Sequence, residues 1–382
     1  MRIQIAGCVC GMILTAAAGA QPRAKALMAA DSASAGSAQQ VVLPVTVRDK
    51  KGELVTDLQK SDLTLTQDGR PQTISSLALG NDQPLRIGLI IDTAKSVSSV
   101  ADADRKAAEA FLDQVIPAGT KNEVFLIHFD REVELLQDFT SDRSALYGQL
   151  DQMGATRAKQ QAEDQGPETS DSPSLAAGRH DANQLYDAVF LACDEMMKNK
   201  PGRKVLVVFS NGADHGSKET MNDAIDAADH QGVEVYTIFS KGEPDRTPGS
   251  NMPGANRGGT GYPGGRYPGG GYPGGYPGGY PGGTPGGRRQ PEPTSGNGID
   301  GQHVMFEMAV RTGGHAYEAR HSADLAPIYK LIQDELHSQY LLTYTPDKPD
   351  TEGDYHKVTI TTDKKDYTVS TREGYYGKDS SD

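Results

Sequence analysis

Four short apolar runs limit what this chain can build: Ile87-Gly88-Leu89-Ile90-Ile91, Val124-Phe125-Leu126-Ile127, Val205 to Phe209 and Val233 to Phe239. They lack polar alternation, the pattern of strands covered on both faces of a parallel sheet. Helical periodicity fills the spaces between them. Val100, Ala103, Ala107, Phe111 and Val115 share one helical face, and Leu185, Val189, Ala192 and Met196 share another. Strand and helix in alternation predict an open, doubly wound α/β domain. Glu132 to Phe139 follows the second run too closely for a helical crossover, so it is expected to be an antiparallel edge strand.

Both ends of the chain change to period two. Val41, Leu43, Val45 and Val47 alternate with other residues before the turn Asp49-Lys50-Lys51-Gly52; Leu63 and Leu65 alternate again, and Asp68-Gly69 marks a hairpin. Near the other end lie Gln339 to Tyr344, then Val358, Ile360 and Thr362, then Tyr367 and Val369. Neither set makes a stable sheet alone. One small β-sandwich-like domain built from both ends, 41–83 with 338–377, would solve this, with 84–337 inserted as the α/β domain and 378–382 as a tail. The alternative is two separate β-extensions.

Two stretches inside the α/β part read as disordered insertions. Residues 154–182 are small and polar. Residues 242–298 carry near-repeats of Tyr-Pro-Gly-Gly, and the window 241–300 holds half of the 22 Pro and nearly half of the 44 Gly. Such a composition buries too little apolar surface to offset its chain entropy. Tyr262, Tyr267, Tyr272, Tyr276 and Tyr280 could serve there as weak stickers for self-association.

Residues 1–20 read as a signal peptide, with Arg2 before an apolar stretch and Ala18-Gly19-Ala20 as cleavage site; residues 21–40 read as a flexible tether. Export to the periplasm or the extracellular surface follows. Cleavage would remove two of the three cysteines and leave Cys193, expected as a small buried hydrophobe. The net charge of −13 argues against a nucleic-acid partner, and no apolar run reaches the roughly 18 residues of a transmembrane segment.

The run Ile90-Ile91-Asp92-Thr93-Ala94-Lys95-Ser96, a buried strand followed by a helix, resembles the start of a von Willebrand factor A-type (VWFA) domain, whose metal-ion-dependent adhesion site begins Asp-x-Ser-x-Ser. Further segments resemble a largely acidobacterial VWFA-related subgroup. They are Val45 to Val55, Gln67 to Ile74, Leu185-Tyr186-Asp187-Ala188, Thr312-Gly313-Gly314, Ser338 to Tyr344 and Arg372-Glu373-Gly374-Tyr375-Tyr376. The resemblance implies a Rossmann-like sheet and a crevice at its carboxyl edge where Mg²⁺ joins a partner protein's carboxylate. Carried over residue by residue, Asp92 and Ser96 match, Ala94 replaces a serine, Asn183 stands for a threonine and Asn211 for an aspartate; Asp214 is a further oxygen ligand to consider. Ala94 offers no side-chain oxygen, and losing one charge at about 4 Å removes about 4 kcal/mol at an effective dielectric near 20. The expectation is a degenerate site that needs no cofactor, against weak Mg²⁺ binding through Asp92, Ser96 and Asp214. Without metal, Asp92 is expected to cap the following helix through its backbone N–H groups.

No Gly-x-Ser-x-Gly elbow and no Walker A loop is present. The sequence therefore reads as a non-enzymatic adhesion module that takes a protein ligand on the VWFA face. The alternative is an envelope scaffold acting through the Tyr-Pro-Gly-Gly repeats.

Overall fold

A computed structural model describes residues 40–80, 83–94, 97, 101–164, 183–241, 300–348 and 353–377, without the side chains of 101–102 and 154–164. The expected signal peptide, most of the tether, the Tyr-Pro-Gly-Gly tract and the tail lie outside these residues.

The chain opens with β1 (Val41–Arg48), β2 (Leu63–Gln67), β3 (Arg70–Gln72) and β4 (Ile74–Leu79). The α/β part follows as β5 (Leu85–Asp92), α1 (Ala101–Val115), β6 (Glu123–Phe129), β7 (Val133–Thr140), α2 (Arg143–Asp164), α3 (Leu185–Leu191), β8 (Arg203–Ser210), α4 (Met221–Gln231), β9 (Val233–Phe239), α5 (Gly301–Thr312), β10 (Ala316–Glu318) and α6 (Leu325–Ser338). The chain closes with β11 (Tyr340–Tyr344), β12 (Tyr355–Thr362), β13 (Thr368–Ser370) and β14 (Gly374–Tyr376).

The six-stranded central sheet has the order β10-β9-β8-β5-β6-β7. All its pairs are parallel except β6 with β7, the expected antiparallel edge. Strand alternation divides the apolar side chains between two layers. Ile87, Leu89 and Ile91 pack with Phe111 of α1, Leu146 of α2 and Ile332 of α6. Ile90, Leu206 and Val208 pack on the other face with Leu185 of α3, Ile225 of α4 and Met305 of α5. Helices thus cover both faces, which is the doubly wound α/β class. Gly88 lies mid-strand because a side chain there would collide with Phe125 and Leu206.

Two local expectations are corrected. Helix α2 continues to Asp164 through residues expected to be unfolded from 154; Ala, Lys, Gln and Glu predominate there, and all favour helix. Residues 165–182 are outside the described residues. Beyond α3, a π turn runs over Ala192–Met196, with the Met197 N–H donating to the Ala192 carbonyl (3.0 Å). The extra residue in that turn leaves Met196 half-exposed and carries Met197 into the core in its place. Cys193 is free and buried, and burial pushes its thiol pKa far up.

The chain ends build two four-stranded sheets, β13-β1-β11-β4 and β14-β12-β2-β3, each mixing strands from both ends. Leu43 pairs with Leu342 in the first and Leu65 with Ile360 in the second. Their inner faces share one core containing Val45, Leu58, Tyr344 and Val358. This is a small β-sandwich closed by opposite ends of the chain. Among the described residues no helix is long and apolar enough to cross a membrane.

The sandwich meets the α/β part around Glu335 of α6, which is fully buried. Arg48 donates to its Oε2 (2.6 Å), Thr46 and Tyr236 donate to its Oε1 (3.1 and 3.0 Å), and His315 Nδ1 lies 2.7 Å from Oε1. Burial raises the Glu335 pKa, but His315 and Arg48 together hold it below the ordinary carboxylate value.

Candidate functional site

Strand order locates the crevice. The chain passes from β5 out to β6 and β7, then returns to β8 on the other side of β5. Open α/β sheets take ligands at such a reversal, beyond the carboxyl ends of the strands. Asp92 ends β5 and Ser210 ends β8. Period two places Asp92 on the Ile90 side and Ser210 on the Val208 side, and both of those residues lie in the layer that also holds α3.

Asp92 is 1% exposed, and three donors among the described residues engage its carboxylate. The Ala94 N–H donates to Oδ1 (2.9 Å); Asn183 Nδ2 (3.1 Å) and Ser210 Oγ (2.7 Å) donate to Oδ2. Asn183 precedes α3 and pairs with His215 through both backbone hydrogen bonds (3.1 and 2.8 Å), which draws the 211–217 loop to the same point. Ser210 Oγ also accepts from the Gly212 N–H (3.0 Å). Gly212 has φ +70°, and the chain returning at Gly301 runs close enough to exclude a side chain there.

The expected positions are therefore only partly brought together. Asp92, Ala94 and Asn183 meet. Asn211 turns its side-chain oxygen to the Ala213 N–H (2.9 Å), and its neighbour Ser210, absent from the sequence reading, reaches Asp92 instead. Asp214 stands apart, accepting the Tyr186 N–H at the start of α3 (3.0 Å) and the Ser217 hydroxyl (2.5 Å); burial raises its pKa. Ser96 lies outside the described residues. Ser210 could have been found from the sequence: it ends an eight-residue run in which every position is buried, one strand step from Val208.

The resemblance implies a divalent cation at this point, and the described side chains, which leave out Ser96, are arranged as hydrogen-bond partners of one another rather than as its ligands. Mg²⁺ takes about six oxygens with lone pairs directed at it. Here Asp92 already accepts three hydrogens, the Ser210 and Asn183 donors point toward it, and Asp214 is committed to α3. Of the described side-chain oxygens near Asp92, Asn183 Oδ1 alone is buried without a donor. Among the described residues no group of three His, Cys, Asp or Glu side chains could hold a metal. Beside Asp92, Thr93, His128 and Glu134 form a hydrogen-bonded row (3.2 and 2.9 Å). The Thr93 hydroxyl also lies 3.2 Å from the Phe129 carbonyl.

No protein-family model and no curated protein matches this chain. Among solved structures, the chain is similar to an aerotolerance-related membrane protein from Bacteroides fragilis, at 16% identity over 66% of this chain and 98% of that one, TM-score 0.37. It is similar to a von Willebrand factor type A protein from Catenulispora acidiphila, at 9% identity over 90% and 75%, TM-score 0.41. It is similar also to proximal thread matrix protein 1 from the mussel byssus, at 11% identity over 71% of this chain and about half (51%) of that one, TM-score 0.42. These likenesses are loose, and the fold rests on the chain's own strand order and layers. That order, with Asp92 at the reversal and the loops at 183 and 210 closing on it, makes this a doubly wound α/β fold of the kind the resemblance to von Willebrand factor A-type domains implies.

Proposed function

We propose that this chain is an exported, non-enzymatic protein-interaction module. It binds a protein ligand on the face around Asp92, with side-chain hydrogen bonds replacing the metal ion as the tie between the loops. Residues 84–337 are the binding domain in this reading, and 41–83 with 338–377 are its mount. The observation that supports it is the Asp92 carboxylate with its three donors, which holds the turn at 94, the segment at 183 and the strand end at 210 in one arrangement. A charge so engaged ties three chain segments together and organises the surface around it. Export rests on residues 1–20 alone.

The test uses Ala94→Arg with Ala213→Arg, two half-buried rim positions where bulk and charge would disturb a docking face. Both variant and wild-type chains are immobilised and exposed to envelope extract. The expected result is a specific protein retained by the wild type and lost by the variant, with unfolding midpoints that agree closely. Identical retention by both chains overturns the reading.

A further inference from the structure

We propose that a cavity at the amino edge of the central sheet, between the sandwich and the α/β part, binds a small molecule through an oxyanion, a carboxylate or a phosphate. The cavity has a volume of about 370 Å³, within the range of small-molecule sites. Strand β1 forms one wall, and the start of β8 with the α4–β9 turn forms another. Four cations line it, Lys200, Arg203, Lys204 and Arg372, against two acids, Asp229 and Glu234. In a chain of net charge −13 this is a local excess of positive charge.

Arg372 is the most deeply buried of these cations. It is 5% exposed, its Nε is enclosed without an acceptor, and its guanidinium makes no hydrogen bond or ion pair to any described residue. Burying a cation unpaired is costly. The neighbouring acid does not resolve this. Asp229 is 4% exposed, no ion pair joins it to Arg372, and its Oδ1 is buried without a donor. Arg203 donates from Nη1 to the Leu336 carbonyl (2.7 Å) and from Nη2 to Gln339, yet its Nε is likewise enclosed and unpartnered. The enclosed Nε atoms cannot themselves reach a ligand, and the Arg203 Nη atoms are already engaged; Arg372 Nη1 and Nη2, not enclosed and without a described partner, are the donors that suit an oxyanion, whose oxygens match the planar fork of arginine.

Asp229 makes the affinity depend on pH. Burial pushes its pKa up to about 7; Arg372 and Arg311 pull it down, while Asp226 and Glu373 push it further up. Glu234, Lys204 and His230, which stacks on Tyr376 at 3.7 Å, also line the cavity. When Asp229 takes up its proton it ceases to repel an anion and gains an O–H donor, so binding tightens from pH 8 to pH 6.

The test is calorimetric titration of the full chain with sulfate, inorganic phosphate and succinate, against chloride at matched ionic strength. Saturable binding of at least one of the three is expected, and which one binds separates a phosphate from a carboxylate source. Arg372→Gln is expected to weaken it about tenfold or more, the loss of one charge-assisted hydrogen bond. Lys200→Gln, at an exposed position that leaves folding intact, weakens it by a smaller factor and reads the site if Arg372→Gln does not fold. Asp229→Asn at pH 8 binds sulfate as tightly as the wild type does at pH 6, which separates Asp229 from His230. No saturable heat at pH 6 with any of the three anions, or affinities in Lys200→Gln and the folded Arg372→Gln equal to wild type, overturns the proposal.

Discussion

The two edges of the central sheet treat buried charge in opposite ways. At the carboxyl edge, where a doubly wound sheet takes its ligands, Asp92 accepts hydrogen bonds from three elements. At the amino edge, Arg372 and Asp229 are as deeply enclosed and lack hydrogen-bond partners at Arg372 Nε and Asp229 Oδ1. Glu335, also buried, shows that this region can satisfy a charge when its neighbours are placed to do so. Fold-level reasoning directs attention to the crevice, whereas hydrogen-bond accounting directs it to the opposite end. An internally satisfied carboxylate stabilises an arrangement; an unsatisfied guanidinium is stability withheld until something binds.

The largest expected effect breaks the satisfied side. Asp92→Ala leaves the Ser210 hydroxyl, the Asn183 amide and the Ala94 N–H facing an apolar void. We expect a loss of about 2–4 kcal/mol in urea unfolding, the scale for stranding buried donors of a charged acceptor. A loss below about 0.5 kcal/mol would mean that the three loops are held by something else.

The unsatisfied side should respond in the reverse direction. Folded Asp229 keeps its proton to about pH 7, an unfolded aspartate only to about pH 4. The folded state binds more protons between those limits, so stability falls as pH rises through the window. Asp229→Asn removes that loss. It should raise stability by about 1–3 kcal/mol at pH 8, by less at pH 5, and leave it near wild type only below about pH 4, a difference bounded by about 1.4 kcal/mol per unit of displaced pKa. Glu335, held below its ordinary value, acts oppositely: its contribution is present above about pH 4.5 and is lost as pH falls. An Asp229→Asn variant that is destabilised at pH 8 would show that Asp229 has a partner in solution.

What was legible in the sequence follows the strength of its periodicities. The apolar runs gave the parallel strands, and the period-two segments at both ends gave the sandwich, because each pattern has one way to bury its side chains. Met197 was hidden because a π turn shifts the phase of a helix without changing its composition. Ser210 was hidden for another reason: the family pattern is read by sequence position, which points to Asn211, whereas the hydrogen bond depends on which side of β8 a residue occupies. The Arg372 cavity left no sequence signal, since β1, the start of β8 and the C-terminal strands are remote in the chain. Replacing each of the paired neighbours sharpens this. Ser210→Ala should cost about 1–2 kcal/mol, as it removes a donor to a buried charge. Asn211→Ala should cost about 0.5–1 kcal/mol, since the bond to the Ala213 N–H joins two neutral groups. Equal costs would restore Asn211 to the site.

The smallest expected effect concerns the ion that such a crevice holds in the pattern this chain resembles. An ion at about a hundred times its dissociation constant would add about 2.7 kcal/mol to stability, a shift in unfolding temperature of several degrees. To receive Mg²⁺ at Oδ2, Asp92 would have to release the Ser210 and Asn183 hydrogens, and both groups would have to turn oxygens inward. Of the described oxygens near Asp92, Asn183 Oδ1 alone is buried without a donor, and it is neutral. The unfolding temperature is therefore expected to be the same in millimolar Mg²⁺ and in chelator. A rise with Mg²⁺ that vanishes in Asp92→Ala would show the three donors turning away from Asp92, and would make the satisfied edge a resting state of a metal site.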